Sequence, residues 1–375
     1  MSITTSPSAG RGAPGGGRAN NFNLIRLGLA TLVILAHSPE LVDGDRHREI
    51  LTRLGGVLSL GDLAVDGFFV LSGYLILQSW RRDPSLPRFL GRRARRIYPG
   101  FLAASLVAAV VVGPLGASAG YFAALSWPKF ALEALKLQPP LVPPVFRGQP
   151  HPLINGPMWT IAYEFRCYVL VALLGAAGLA GRRATWLALG AGGLAGVIWF
   201  GPGATAEARG AVRLLIGQPE CLARFVAFFA AGAGFALIRD RIPLRASWAA
   251  VAAGLLAPAL LHPLTAPVGL LTLGSYLLFW FAFAPTPRLA RFRSAPDISY
   301  GVYLYGWPIQ KLLLWFLPAL SPWALFPLAL ALAAGAGWLS WTLVERPCLP
   351  SARRESREGR PARVAAAPAP LGAPG

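Results

Sequence analysis

"NNFNLIRLGLATLVILAHSPE", residues 20–40, has the length and apolarity of a membrane-crossing helix, yet it holds an arginine near its start and a histidine near its end. Ionisable residues persist in such spans when they face the bundle interior, pair with a partner or do chemistry. Arg26 and His37 are eleven positions apart, which on a helix is a rise of about 16 Å and three turns plus roughly 20°. The two side chains therefore share a face and occupy opposite ends of it.

Composition extends this reading to the whole chain. Of 375 residues, 55% are hydrophobic and only 14% charged, against about 25% charged in an ordinary soluble domain. Apolar runs recur over 23–38, 60–80, 97–115, 159–179, 184–200, 221–238, 246–261, 266–284, 298–317 and 323–344. The expected fold is an all-α polytopic membrane protein, a bundle of about ten transmembrane helices over residues 22–348. The Gly/Pro/Ser-rich tail 1–21 and the basic tail 349–375 are expected to be disordered. The net charge of +19 does not imply nucleic acid, because it is unevenly distributed. Alternate loops and the two tails carry 23 Lys and Arg, the opposite loops 8. That asymmetry places both termini in the cytoplasm and the protein in the inner membrane.

The three cysteines and four histidines have no metal-ligand or redox spacing, and no phosphate-binding glycine loop or nucleophile elbow occurs. Neither a metal nor a tightly bound cofactor is expected. What remains is a set of polar residues inside the spans. Counting depth from the expected surfaces puts Asp66 and Glu164 in the same outer layer as His37. A carboxylate on imidazole Nδ1–H would prepare His37 as a general base. The plainer alternative is an ion-pair network of these carboxylates with Arg166 or Arg224. Ser72 and Gly73 lie deeper in the second span, where glycine would allow close helix approach. Between the second and third spans, Arg92, Arg93, Arg95 and Arg96 form a dense cluster suited to anionic lipid or to phosphate groups. A proton relay in a transporter is the competing reading of the same intramembrane charges.

The Arg-to-His order in the first span, then "VDGFFVLSGYLI", "RRARRIYPGF", "GPMWTIAYEF", "ISYGVYLYGWPI" and "LVERP", resembles the membrane-bound acyltransferase-3 family over about residues 20–350. The resemblance implies transfer of an acyl group, commonly acetyl, from acyl-CoA to a hydroxyl of a surface glycan or related acceptor. It implies that Arg26 and His37 are required, with His37 as the base and Arg26, Arg92, Arg93 and Arg96 on the CoA phosphates. Ser72, Trp159, Tyr300 and Tyr303 are the expected pocket residues, and Glu345 is expected to pair with an arginine such as Arg96. One departure stands out: Gly306 occupies a position where the family often has histidine.

The charge asymmetry makes a direct prediction. In intact cells, an impermeant thiol reagent should label a cysteine introduced near Lys136 and spare those introduced near Arg92, Arg182, Arg241 and Arg291. Labelling near Arg92 from outside would reverse the orientation.

Overall fold

The computed structural model describes residues 20–117, 119–201, 215–285 and 296–349, so the tails 1–19 and 350–375 lie outside the described residues. The described residues are helices and loops without strands. We label the main helices α1 Phe22–Asp43, α2 Leu60–Arg82, α3 Leu86–Gly116, α4 Pro157–Ala176, α5 Arg183–Phe200, α6 Pro219–Arg241, α7 Ala246–Ala259, α8 Thr265–Phe283, α9 Ser299–Phe316 and α10 Pro322–Cys348. Seven of them, all but α5, α7 and α9, are long and apolar enough to cross a membrane. Each of the ten expected spans overlaps a helix, but α7 has only 14 residues, short of the roughly 20 that span a bilayer. The apolar run of α9 is interrupted by Gln310 and Lys311, and α5 opens on Arg183. The chain is an integral, multi-pass, all-α membrane protein. Its exterior agrees: Leu173, Leu187, Trp199, Val251 and Leu343 point outward, each more than half exposed, as they can where lipid is the solvent.

The helices pack in the order α5, α6, α2, α1, α9, α10, with α3 and α4 laid across α2 and α9. Two close approaches hold this row. A Cβ on Gly73 of α2 would lie 1.9 Å from the Phe229 carbonyl oxygen of α6, and one on Gly232 of α6 would lie 1.9 Å from the Val70 oxygen of α2. The backbones touch reciprocally, as small residues permit between membrane helices. Gly301 of α9 meets Gly337 of α10 in the same way, its Cβ position 2.5 Å from the Gly337 Cα.

Register along the row sets every depth. Helix α2 runs antiparallel to α1, with Gly61 beside Ala36 and Gly67 beside Leu29. Helix α9 runs parallel to α1: Arg26 meets Asp297, Gly306 faces Ile34, and Gln310 donates to the Ile34 carbonyl and to Ser38 Oγ, both at 2.9 Å. Asn21, counted in the disordered N-tail by sequence, is buried, and its side-chain amide donates to the Phe281 and Ala284 carbonyls at the end of α8.

Two local expectations are corrected. The arginines 92–96 sit in helix α3, which starts at Leu86 with Pro87 in its first turn, and not in a loop. The chain before α4 enters the bundle before the helix begins. Phe146, Ile154 and Asn155 are buried, Asn155 Nδ2 donates to the Leu304 carbonyl at 2.8 Å, and Gly156 packs on Trp307. The non-glycine residues with positive φ among those described, Leu137, Phe146 and His151, all fall in this loop. Such strained backbone persists where surrounding contacts fix it, here bonds from Lys311 Nζ to Pro150 O and from Trp307 Nε1 to Leu153 O.

The glycine contacts predict a paired outcome. Gly73→Ala must part α2 from α6, a loss of about 1–3 kcal/mol, and should lower the unfolding midpoint in detergent by several degrees. Gly28→Ala, with nothing within 4 Å of the new Cβ, should leave the midpoint unchanged or raise it. Equal midpoints for both variants would contradict the α2–α6 contact.

Candidate active site

A cavity of about 650 Å³ opens between α2, α3, α4 and α9. Most of the residues singled out from sequence line it: Arg26, Arg92, Arg93 and Arg96 on one side, Ser72, Glu164, Tyr300 and Tyr303 on the other. His37, Asp66 and Trp159 do not.

Its charged end is built around Asp297, just ahead of α9. Arg26 Nη1 and Arg96 Nη2 both bind Asp297 Oδ2, at 2.8 and 2.9 Å, and Ser299 Oγ donates to Oδ1. Burial alone would raise the Asp297 carboxyl, but the two guanidiniums and the hydroxyl hold it below its usual range. The other arm of Arg96 reaches Glu345 Oε2 at 3.1 Å. A π-helical turn over Trp341–Glu345 presents that carboxylate, and the expected Glu345–Arg96 pair is therefore present. Arg92 binds Asp83. Arg93 differs: its Nη2 makes a long 3.4 Å contact to Ser79 Oγ, and its buried Nε has no hydrogen-bond partner among the described residues. Glu164 faces the same space, its Oε1 accepting from Ser72 Oγ at 3.0 Å and Tyr168 OH at 2.6 Å.

This corrects the expected layering. Glu164 lies at the Arg26 end, because α4 begins inside the bundle rather than at its surface. Asp66 is level with about Ala30 by the α1–α2 register, roughly 10 Å of helix rise from His37. It is held bidentately by Arg224 of α6, Nε to Oδ1 at 2.8 Å and Nη2 to Oδ2 at 2.9 Å, with Asp62 on the remaining Nη1 at 3.1 Å. The ion-pair alternative describes Asp66. Neither carboxylate contacts His37. Trp159 lies on the far side of α4, against Tyr163 and Phe225.

His37 instead meets a residue that the sequence reading passed over. Glu40 Oε2 lies 2.6 Å from His37 Nδ1, three residues further along α1. Trp307 packs edge-on to the imidazole, ring centroids 4.9 Å apart. Trp307 is one turn beyond Tyr303, and Tyr300, Tyr303 and Trp307 form a continuous aromatic face on α9. At its middle, Tyr303 OH donates to the Pro157 carbonyl at 2.7 Å and lies 2.5 Å from Thr160 Oγ. Gly306 is on a neighbouring face, where a Cβ would be 2.8 Å from Ile34 Cγ1.

The family model described as "Acyltransferase domain" matches residues 20–343. The chain belongs to the acyltransferase-3 family. Among curated relatives it is 32% identical to the O-acetyl transferase of Shigella phage Sf6 over 158 residues, 42% of this chain and 46% of that protein. It is 30% identical to the acyltransferase MdmB of Streptomyces mycarofaciens over 126 residues, 34% of this chain and 31% of the relative. Nodulation protein 10 of Rhizobium leguminosarum bv. viciae is 25% identical over 393 residues, 89% and 94% of the two chains. The first two alignments cover less than half of either relative. No solved structure matches. The matched region contains every charged residue that lines the cavity; Glu345, which binds Arg96 from α10, lies two residues beyond it.

Proposed function

We propose that this protein is an O-acyltransferase that moves an acyl group, acetyl in the simplest case, from acyl-CoA to a hydroxyl of a surface glycan or related acceptor, in the inner membrane with both termini cytoplasmic. Family membership supports the reaction class, and the observation that carries the donor assignment is the arginine-walled cavity at the Arg26 end of α1. Its volume suits a cofactor-sized ligand. In this reading the CoA phosphates approach from the cytoplasmic side and the acyl end points along the aromatic face of α9 toward His37. His37 takes the acceptor hydroxyl proton as the oxygen attacks the thioester carbonyl. The carbon–sulfur bond then breaks and the thiolate recovers a proton.

Arg26, Arg92, Arg93 and Arg96 are all expected on the phosphates from sequence. The geometry favours Arg93, because Arg96 is committed on both arms to Asp297 and Glu345, whereas Arg93 has a buried N–H without a partner among the described residues. A buried donor of that kind gains most from an anion.

The test is steady-state kinetics in nanodiscs with varied acetyl-CoA. His37→Ala should lower kcat about 100- to 10,000-fold in a protein that still inserts. Arg93→Ala should raise the acetyl-CoA KM about 10- to 100-fold, as expected for losing a hydrogen bond to a charged group, with a smaller effect on kcat. An unchanged KM in Arg93→Ala would remove the arginine end as the donor site. Near-normal turnover in His37→Ala would place the base elsewhere.

A further inference from the structure

Glu40 belongs to no motif identified in the sequence, yet it is the carboxylate that touches His37. It is 8% exposed, and it lies past Pro39 in the final turns of α1. Its Oε2 is 2.6 Å from His37 Nδ1 and 3.2 Å from Arg46 Nε; its Oε1 is 3.8 Å from His151 Nε2, and that histidine is also 3.2 Å from the Gly44 carbonyl. Arg46 in turn approaches Asp62 Oδ2 at 3.6 Å, so one guanidinium bridges the two carboxylates.

An ionised carboxylate only accepts hydrogen bonds. The ring nitrogen facing Glu40 must therefore carry the proton, which leaves Nε2 with its lone pair. In water the opposite tautomer of neutral imidazole is the commoner one, so the protein is selecting a form. Trp307, edge-on to the ring, limits its rotation. We propose that Glu40 is the positioning residue of His37: it fixes the Nδ1–H tautomer, aims Nε2 at the acceptor hydroxyl, and stabilises the imidazolium that forms when that proton arrives. This rests on the reading of His37 as the general base. Glu40 itself neither gains nor loses a proton. The proton passes from the hydroxyl to Nε2 and from Nε2 to the departing thiolate, while the oxygen–carbon bond forms and the carbon–sulfur bond breaks. The arrangement repeats the logic by which a buried carboxylate orients the base in hydrolytic triads.

The full chain in nanodiscs, supplied with acetyl-CoA and envelope glycans from the producing cell, separates the possibilities. Glu40→Gln keeps the side-chain shape and loses the charge. It should lower kcat about 10- to 100-fold, the range seen when an outer partner of a functional histidine is lost, with the acetyl-CoA KM unchanged. Glu40→Asp should recover part of the loss. In full-length protein labelled with ¹⁵N-histidine, the His37 signals, assigned by their loss in His37→Ala, should report Nδ1–H with Nε2 unprotonated. Wild-type kcat in Glu40→Gln while His37→Ala is inactive would overturn the role of Glu40 and leave the base in place. Full activity in His37→Ala would overturn the base assignment itself. If Glu40→Gln fails to insert, the tautomer decides: an Nε2–H ring in the unmodified pair overturns the proposal.

Discussion

One carboxylate, Asp297, holds two guanidiniums that would otherwise repel each other inside the bundle. Its side chain is 11% exposed and lies between Arg26 of α1 and Arg96 of α3. Unpaired charge in such a place is costly, and removing one partner of a buried pair leaves the other uncompensated. With its ionisation favoured by those arginines, the carboxylate keeps its charge at neutral pH. The resulting attraction is lost only as pH falls through its lowered value. The contact also sets register. Once Asp297 is beside Arg26, the parallel run of α1 and α9 brings Gly306 to Ile34, Trp307 to His37 and Gln310 to Ser38. Glu345, on the other arm of Arg96, fastens α10 to the same point. The site at one end and the histidine at the other are thus spaced by a single ion-pair cluster.

How much of this was legible depends on the element. The bundle class, the membrane location and the close approach at Gly73 follow from apolar runs and small residues, because lipid leaves helices few alternatives. Arg96–Glu345 was legible only through resemblance, since the two residues are 249 positions apart. Depth was misjudged where chain length stood in for geometry. Residues 145–157 were counted as loop outside the bundle, but they are partly apolar and carry Asn155 and Pro157 carbonyl contacts into it, which moves Glu164 to the arginine end. The signals for α3 were present in Ser85, Pro87 and the spacing of Phe89, Ile97 and Phe101, but the run of arginines obscured them. Glu40 was missed because the first span was ended at residue 38, before Pro39. The helix nevertheless continues past Pro39 to Asp43, although proline removes one backbone hydrogen bond and crowds the preceding turn.

The glycine at 306 gains a structural reason. A side chain there would run into Ile34, and Gly301 five residues earlier has the same relation to Gly337 on the opposite side of α9. Helix α9 is therefore clasped between α1 and α10 with no room for a larger residue on either flank. Tyr300 and Tyr303, on another face of α9, line the cavity instead. In this chain the glycine at 306 and the Gln310–Ile34 hydrogen bond thus belong to one close packing of α1 on α9.

That packing also defines what transfer would require. The cavity reaches Tyr303 and Phe68, whose rings lie 6.0 Å apart in an edge contact, and His37 meets α9 one turn beyond, at Trp307. One helical turn is about 5.4 Å, which is shorter than the pantetheine arm of a bound acyl-CoA. On the proposed reading, that distance is within reach of the donor. Tyr303 is fixed by Thr160 and the Pro157 carbonyl, so it belongs to the inserted loop as much as to α9. Phe68 is less buried than the neighbouring Phe69, and no hydrogen bond can tie down its ring. Turning the Phe68 ring would leave the loop's hydrogen bonds intact, whereas moving Tyr303 would break its contacts to Thr160 and to the Pro157 carbonyl, where α4 starts. Of the two rings Phe68 is therefore the less constrained, on α2 one turn before the Ser72 that donates to Glu164.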